Sequence, residues 1–211
     1  MCRLLAVQSL DAIPVVDLLQ PFAAMARASR EYQGDGWGCA WWTGERWERY
    51  RTTTPVWDDD LTRFGAQRQV VAHARSAFRN EGIEEANNMP FVDAQRAFVF
   101  NGELRGVRST EPGRIGAEKL FNLLGRIDPK SRDGWRRAVD VVVARTRYVR
   151  AMNFVSATPG RFVVASVFNE DPEYFTMSIR RDPGVVMIAS EPLTGFDGWA
   201  PVPNGSVEIV R

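Results

Sequence analysis

The period of apolar and polar positions changes several times along this 211-residue chain. Residues 3–8, RLLAVQ, read as a short apolar strand closed by a turn-like Ser-Leu-Asp. Residues 14–30, PVVDLLQPFAAMARASR, place Val15, Leu18, Leu19, Phe22 and Met25 at helical spacing. Pro21 inside that run predicts a kink or two helical pieces, because proline removes one backbone donor and crowds the preceding turn. YQGDGWGCAWW at 32–42 is a glycine-rich turn entering an aromatic strand, and WERYRTTT at 47–54 alternates, so the two form a hairpin about Thr43-Gly44. QVVAHA at 69–74 and AFVF at 97–100 are buried strands. Between them runs SAFRNEGIEEANNMP, a polar connection long enough to be read as a binding loop.

GAEKLFNLL at 116–124 and DGWRRAVDVVVARTR at 133–147 are helical patterns, the second with Asp133 as N-cap. The last third is a meander of MNFVSAT, RFVVASVF, YFTMSI and VVMIAS, separated by Pro/Gly turns. Strand, helix, strands, two helices and then strands again favours α+β with antiparallel sheets over a regular βαβ alternation. With no repeat or linker-like tract, residues 1–211 are expected to form one domain.

Composition narrows the function. Hydrophobic residues at 45% can fill a core, and a net charge of +1 with dispersed arginines gives no electrostatic ground for a nucleic-acid or membrane partner. LLAV is too short for a signal-peptide core, and no apolar run approaches the roughly 18 residues of a membrane span. Two cysteines are no disulfide framework, so a reduced, cytoplasmic setting is expected. Neither cysteine lies in a metal-binding spacing, so no metal and no cofactor are expected.

The candidate chemistry starts at Cys2. Trimming of Met1 would leave thiol and free α-amine on one residue, the amine titrating near pH 8 and able to accept the thiol proton. The alternative is a small buried residue in the first strand. Arg75, at a strand end facing the long loop, suits bidentate capture of a carboxylate or else a surface ion pair. His73 reads as a core histidine rather than a base, and Cys39 as core packing. Asn101-Gly102 is a turn dipeptide, or the side-chain amide and backbone N–H of an oxyanion hole.

Met1-Cys2, DGWG at 35–38, HAR at 73–75, NNMPF at 87–91 and FNGEL at 100–104, in that order, resemble the class II glutamine amidotransferases of the N-terminal-nucleophile hydrolase superfamily. SEPLTGFDGWAPVPNGSV resembles the closing strands of stand-alone members. The resemblance implies a four-layer αββα sandwich of two antiparallel sheets flanked by helices. It implies Cys2 as nucleophile with its own amine as base, and Asn101 with Gly102 as oxyanion hole. Arg75, with Ser76 beside it, would hold the α-carboxylate of glutamine or a γ-glutamyl amide. Gly116 and Glu118 fall where the family's substrate-binding helix begins, with Gly116 in place of the aspartate that holds the α-ammonium; Glu81 or Glu103 are candidate replacements. That departure bears on the substrate rather than on thiol attack. The implied partners are a small-molecule substrate and, where ammonia is passed on, a separate synthase subunit; a homo-oligomer is left open. A catalytically silent subunit with the same fold is the alternative, and a self-processing protease ranks behind both.

Overall fold

A computed structural model describes all residues from Met1 to Arg211. In chain order the elements are β1 (Arg3–Pro14), α1 (Val15–Arg27), β2 (Trp37–Trp42), β3 (Trp47–Thr52), β4 (Ala66–Ala74), β5 (Phe91–Val92) and β6 (Ala97–Val107). There follow α2 (Gly116–Leu124), α3 (Arg132–Ala144), β7 (Thr146–Thr158), β8 (Arg161–Ser166), α4 (Pro172–Phe175), β9 (Ser178–Asp182), β10 (Val185–Ala189), β11 (Trp199–Pro201) and β12 (Ser206–Val210). One sheet of seven strands has the order β11-β9-β10-β1-β4-β2-β3; the other has five, β12-β8-β7-β6-β5. All pairings are antiparallel.

Alternation along β1 builds the layers. Leu5 and Val7 point outward and pack under α1 with Val15, Leu18, Leu19 and Phe22. Leu4 and Ala6 point the other way, into the core shared with the five-stranded sheet. On the far side of that sheet Phe98 and Phe154 meet Phe121 of α2 and Trp135 of α3, with ring centroids 5.5–6.0 Å apart. The order helix, sheet, sheet, helix is the αββα sandwich that the motifs implied.

Three local expectations are corrected. β1 does not stop at Ser-Leu-Asp; it runs on to Pro14, with a register break between Gln8 and Ile13. α1 continues through Pro21 as one helix. Its buried face, with Leu18, Leu19 and Phe22 each contributing roughly 1.5–3 kcal/mol, outweighs the roughly 3 kcal/mol that an internal proline costs. Helix α3 is capped by Ser131, whose Oγ accepts from the Gly134 N–H at 3.1 Å, so Asp133 sits in the first turn instead. Its predicted tail, residues 146 and 147, already belongs to β7.

Candidate active site

One end of the gap between the sheets gathers most of the singled-out residues. Arg3 pairs with Ala74 and Leu4 with His73, so Cys2 enters β1 beside the end of β4, where Arg75 follows. Alternation puts Cys2 on the Leu4 and Ala6 face, toward the other sheet. The His73 Nε2 lies 3.1 Å from the Phe100 carbonyl, tying β4 to β6 one residue before Asn101. The Cys2 Sγ lies 3.7 Å from the Ser76 carbonyl, so Ser76 meets the thiol through its backbone.

The thiol is only partly exposed. Burial pushes its pKa up, against the opposing pull of the Met1 ammonium, the Ser76 contact and Arg75. It is therefore a protonated thiol at neutral pH, and as a nucleophile it would need a base. His73 cannot be that base: it is fully buried, and loss of solvation takes its pKa down to about 3. As the sequence reading had it, His73 is a core residue, though its Nδ1 finds no partner.

Asn101 is 1% exposed, and both its amide nitrogen and its oxygen lack any hydrogen-bond partner. No other buried side chain has two polar atoms without a partner. An unmade buried hydrogen bond costs roughly 1–3 kcal/mol, so such a group signals a ligand or a transition state that completes it. Its neighbour in register, Asn153, is equally buried yet fully satisfied, by the Phe175 carbonyl at 2.6 Å and the Val167 N–H at 3.2 Å. Gly102 is there for space: a Cβ would lie 2.2 Å from the Ala151 carbonyl oxygen.

Arg75 is 7% exposed and forms no ion pair. Its guanidinium is held by neutral oxygens: the Gly82 carbonyl at 2.7 Å, the Asn88 Oδ1 at 3.3 Å and the Glu81 carbonyl at 3.4 Å. Burial lowers its pKa, partly offset by Cys2, Asp35 and Glu84. A buried cation fixed by neutral acceptors keeps its charge uncompensated and open to an anion. The loop that holds it is unusual: Arg79, Asn80 and Gly82 all take left-handed φ values of 56–60°, strain typical of binding segments.

DGWG has a positioning role. The Asp35 carboxylate accepts the Ala77 N–H at 2.7 Å, and the Asp35 and Arg75 backbones bond across the turn. A Cβ on Gly36 (φ 109°) would lie 2.2 Å from the Asn88 Nδ2, so the glycine lets NNMPF close over Arg75.

Gly116 and Glu118 do not join this group through any contact. Glu118 is committed to Arg114, at 2.7 Å from its Nη2, and a Cβ on Gly116 would meet nothing within 4 Å. Of the candidate replacement carboxylates, Glu103 lies 3.8 Å from Arg150, and Glu81 reaches Arg75 only through its carbonyl. Two concavities, of about 420 and 400 Å³, lie around Arg108 and Arg145 at the other end of β6 and share no residue with this group.

Sequence reasoning missed the residues around Met1. Its ammonium is bound by Glu31, and its carbonyl accepts from Gln33 and from the Tyr174 hydroxyl at 2.9 Å. Arg150 backs Glu31 at 3.2 Å. Nothing in the local patterns around 31, 150 or 174 could have linked them, since only tertiary folding brings them together.

No known family model matches the chain. It is 26% identical to the γ-glutamyl-hercynylcysteine sulfoxide hydrolase of Mycolicibacterium smegmatis, over 92% of this chain and 85% of that one. It is 28% identical to the enzyme of the same name from Mycobacterium tuberculosis, over 94% and 85%. Among solved structures, a glutamine aminotransferase class-II domain protein from Silicibacter pomeroyi superposes with a TM-score of 0.66 at 16% identity, covering 99% of this chain and 94% of that one. The glutamine phosphoribosylpyrophosphate amidotransferase of B. subtilis superposes with a TM-score of 0.63 at 16% identity, over 90% of this chain, which spans 42% of that larger enzyme.

Proposed function

We propose that this chain, whose fold is that of the class II glutamine amidotransferases, is a cysteine amidohydrolase that cleaves the γ-amide of a γ-glutamyl compound through a thioester on Cys2. Residues 1–211 act as one such domain. The observation that carries the reading is the buried Asn101 amide with neither atom paired, beside a glycine that admits no side chain. An unpaired buried donor costs stability in the resting protein, and on this reading Asn101, with the Gly102 N–H as second donor, recovers it at the tetrahedral intermediate.

In this mechanism Met1 is first removed. The α-amine of Cys2 accepts the thiol proton, and Sγ bonds to the γ-carbonyl carbon. The negative oxygen is held by the Asn101 side chain and the Gly102 N–H, while Arg75 binds the substrate α-carboxylate. The α-ammonium then gives its proton to the leaving nitrogen, the C–N bond breaks, and the amine departs. Water attacks the thioester with the α-amine as base, releasing the γ-carboxylic acid and restoring the thiol.

The two hydrolases it resembles are named for a γ-glutamyl compound, and the open space at Gly116 leaves free glutamine without the usual carboxylate for its α-ammonium. A γ-glutamyl amide is therefore favoured over glutamine; were ammonia the product, a separate synthase subunit would have to receive it. The open Gly116 place also favours the second reading, a silent subunit. A glutamine-like diazo ketone separates the two. Mass spectrometry is expected to find Met1 absent and the label on Cys2, not on the fully buried Cys39, and Cys2→Ala is expected to abolish hydrolysis. A folded, Met1-trimmed protein that takes no label would leave the silent subunit.

A further inference from the structure

The nitrogen of Cys2 is the atom that hands a proton to the departing amine, so that amine must lie within hydrogen-bonding reach of it, roughly 3 Å. In the untrimmed chain the same nitrogen is bonded to Met1. The volume Met1 occupies is thus continuous with the place where the leaving group must sit, and its walls can be read from what they hold now.

Those walls form a built site. The Met1 ammonium stands in for a cation and is bound by Glu31, which Arg150 (3.2 Å) positions from behind. Its carbonyl stands in for an acceptor oxygen, bound by Gln33, which is 0% exposed, and by Tyr174, which is 4% exposed, at 2.9 Å. Its side chain packs on Ala151, Phe168, Tyr174 and Phe175. Removing Met1 takes one partner each from Gln33, Tyr174 and Glu31, and at the buried Gln33 and Tyr174 water replaces it only in part. With Met1 in place, partial burial raises the Glu31 pKa but is outweighed by the Met1 ammonium and by Arg150, and of these Arg150 stays when Met1 is gone.

We propose that the pocket vacated by Met1 is the leaving-group subsite: Glu31 binds a cationic nitrogen, and Tyr174 and Gln33 an oxygen, of an amine with a small apolar body. This rests on the amidohydrolase reading above and gives it a substrate class, namely γ-glutamyl amides of cation-bearing amines rather than the simple amide.

The test compares two nearly isosteric substrates, the γ-glutamyl 2-aminoethyl amide and the γ-glutamyl propyl amide. A hydrogen bond to a charged group contributes roughly 1.5–3 kcal/mol, so the trimmed enzyme is expected to favour the 2-aminoethyl amide by roughly tenfold or more in kcat/KM. Glu31→Gln is expected to bring that ratio near one. Binding of the two amides to trimmed Cys2→Ala protein, by calorimetry, gives the same ratio without turnover or a Glu31 variant. Equal use of both amides by the wild type overturns the proposal. So does a Glu31→Gln variant that slows both alike, which would make Glu31 the partner of the Cys2 amine. Label on Cys2 from the diazo ketone with neither amide cleaved or bound overturns the subsite alone; no label overturns the amidohydrolase reading as well.

Discussion

Asn101 and Asn153 face each other in register on β6 and β7, equally buried, with opposite hydrogen-bonding fates. This makes them a matched pair for separating catalysis from structure. Replacing Asn153 by alanine orphans the Phe175 carbonyl and the Val167 N–H, at roughly 1–3 kcal/mol each, so about 2–6 kcal/mol of stability should be lost. For a chain of this size that is a fall in Tm of about 4–24 °C. Asn101→Ala removes an amide that pairs with nothing, so the desolvation relieved offsets the packing lost and stability should stay within about 1 kcal/mol. Its activity should instead fall by roughly a hundred- to a thousandfold in kcat, the effect of deleting one oxyanion donor. Denaturant unfolding followed by tryptophan fluorescence, with Trp37 and Trp135 buried, gives the first number, and hydrolysis of a γ-glutamyl amide gives the second. If Asn101→Ala loses as much stability as Asn153→Ala, the amide is structural. If it keeps kcat within about threefold, the oxyanion assignment is wrong.

Acid should expose His73. Its folded pKa of about 3 lies below the unfolded value of 6.5, so the stability tied to its neutral form is present above pH 6.5 and is lost as pH falls from there toward 3, by roughly 1.4 kcal/mol per unit. Relative to His73→Gln, wild type should weaken at that rate between pH 6 and 4; a flat difference in unfolding free energy would refute the buried, neutral histidine. Gly116→Asp puts a carboxylate into open space at the first residue of α2, where the change from glycine and the helix dipole together should add about 1 kcal/mol and raise Tm by about 2–4 °C. The same variant should lower KM for free glutamine, and a more stable protein with unchanged glutaminase kinetics would show that this helix does not reach the substrate.

What the sequence disclosed and what it hid follow from range. The sandwich was legible because its strands are short, apolar and bounded by glycine and proline turns, and because α1 and α2 carry a clean helical stripe. The β1 extension was hidden because Ser-Leu-Asp looks like a turn when its partner strands are out of view; pairing of Ile13 and Pro14 with β4 overrides it. The same override carried α1 through Pro21. At the site, Cys2, Arg75 and Asn101-Gly102 were legible as an ordered set of motifs. Asp35 and Asn88 lay inside quoted motifs, yet their tasks, holding the Ala77 N–H and the Arg75 guanidinium, needed coordinates. Glu31 and Gln33 of the α1–β2 connection, Arg150 of β7 and Tyr174 of α4 converge only on the N-terminus.

The costs in this molecule are unevenly placed. Elsewhere in the gap between the sheets, long polar side chains are matched: Gln69 donates to the Thr158 carbonyl at 2.9 Å and accepts from the Gly160 N–H at 3.2 Å, and Asn153 is equally well paired. At the one end where Cys2 enters, the chain keeps a buried cation without a counter-ion, an amide with no partner, and a glycine whose replacement would collide with a backbone oxygen. The first two are local losses of roughly 1–3 kcal/mol each that packing alone would remove. Local rules broken together at one place are what the proposed site would require. What would satisfy all three at once is a carboxylate for Arg75 and a carbonyl turning into an oxyanion between Asn101 and Gly102, both within one molecule. A γ-glutamyl amide has that pair of groups, which is what the proposed reading asks of its substrate.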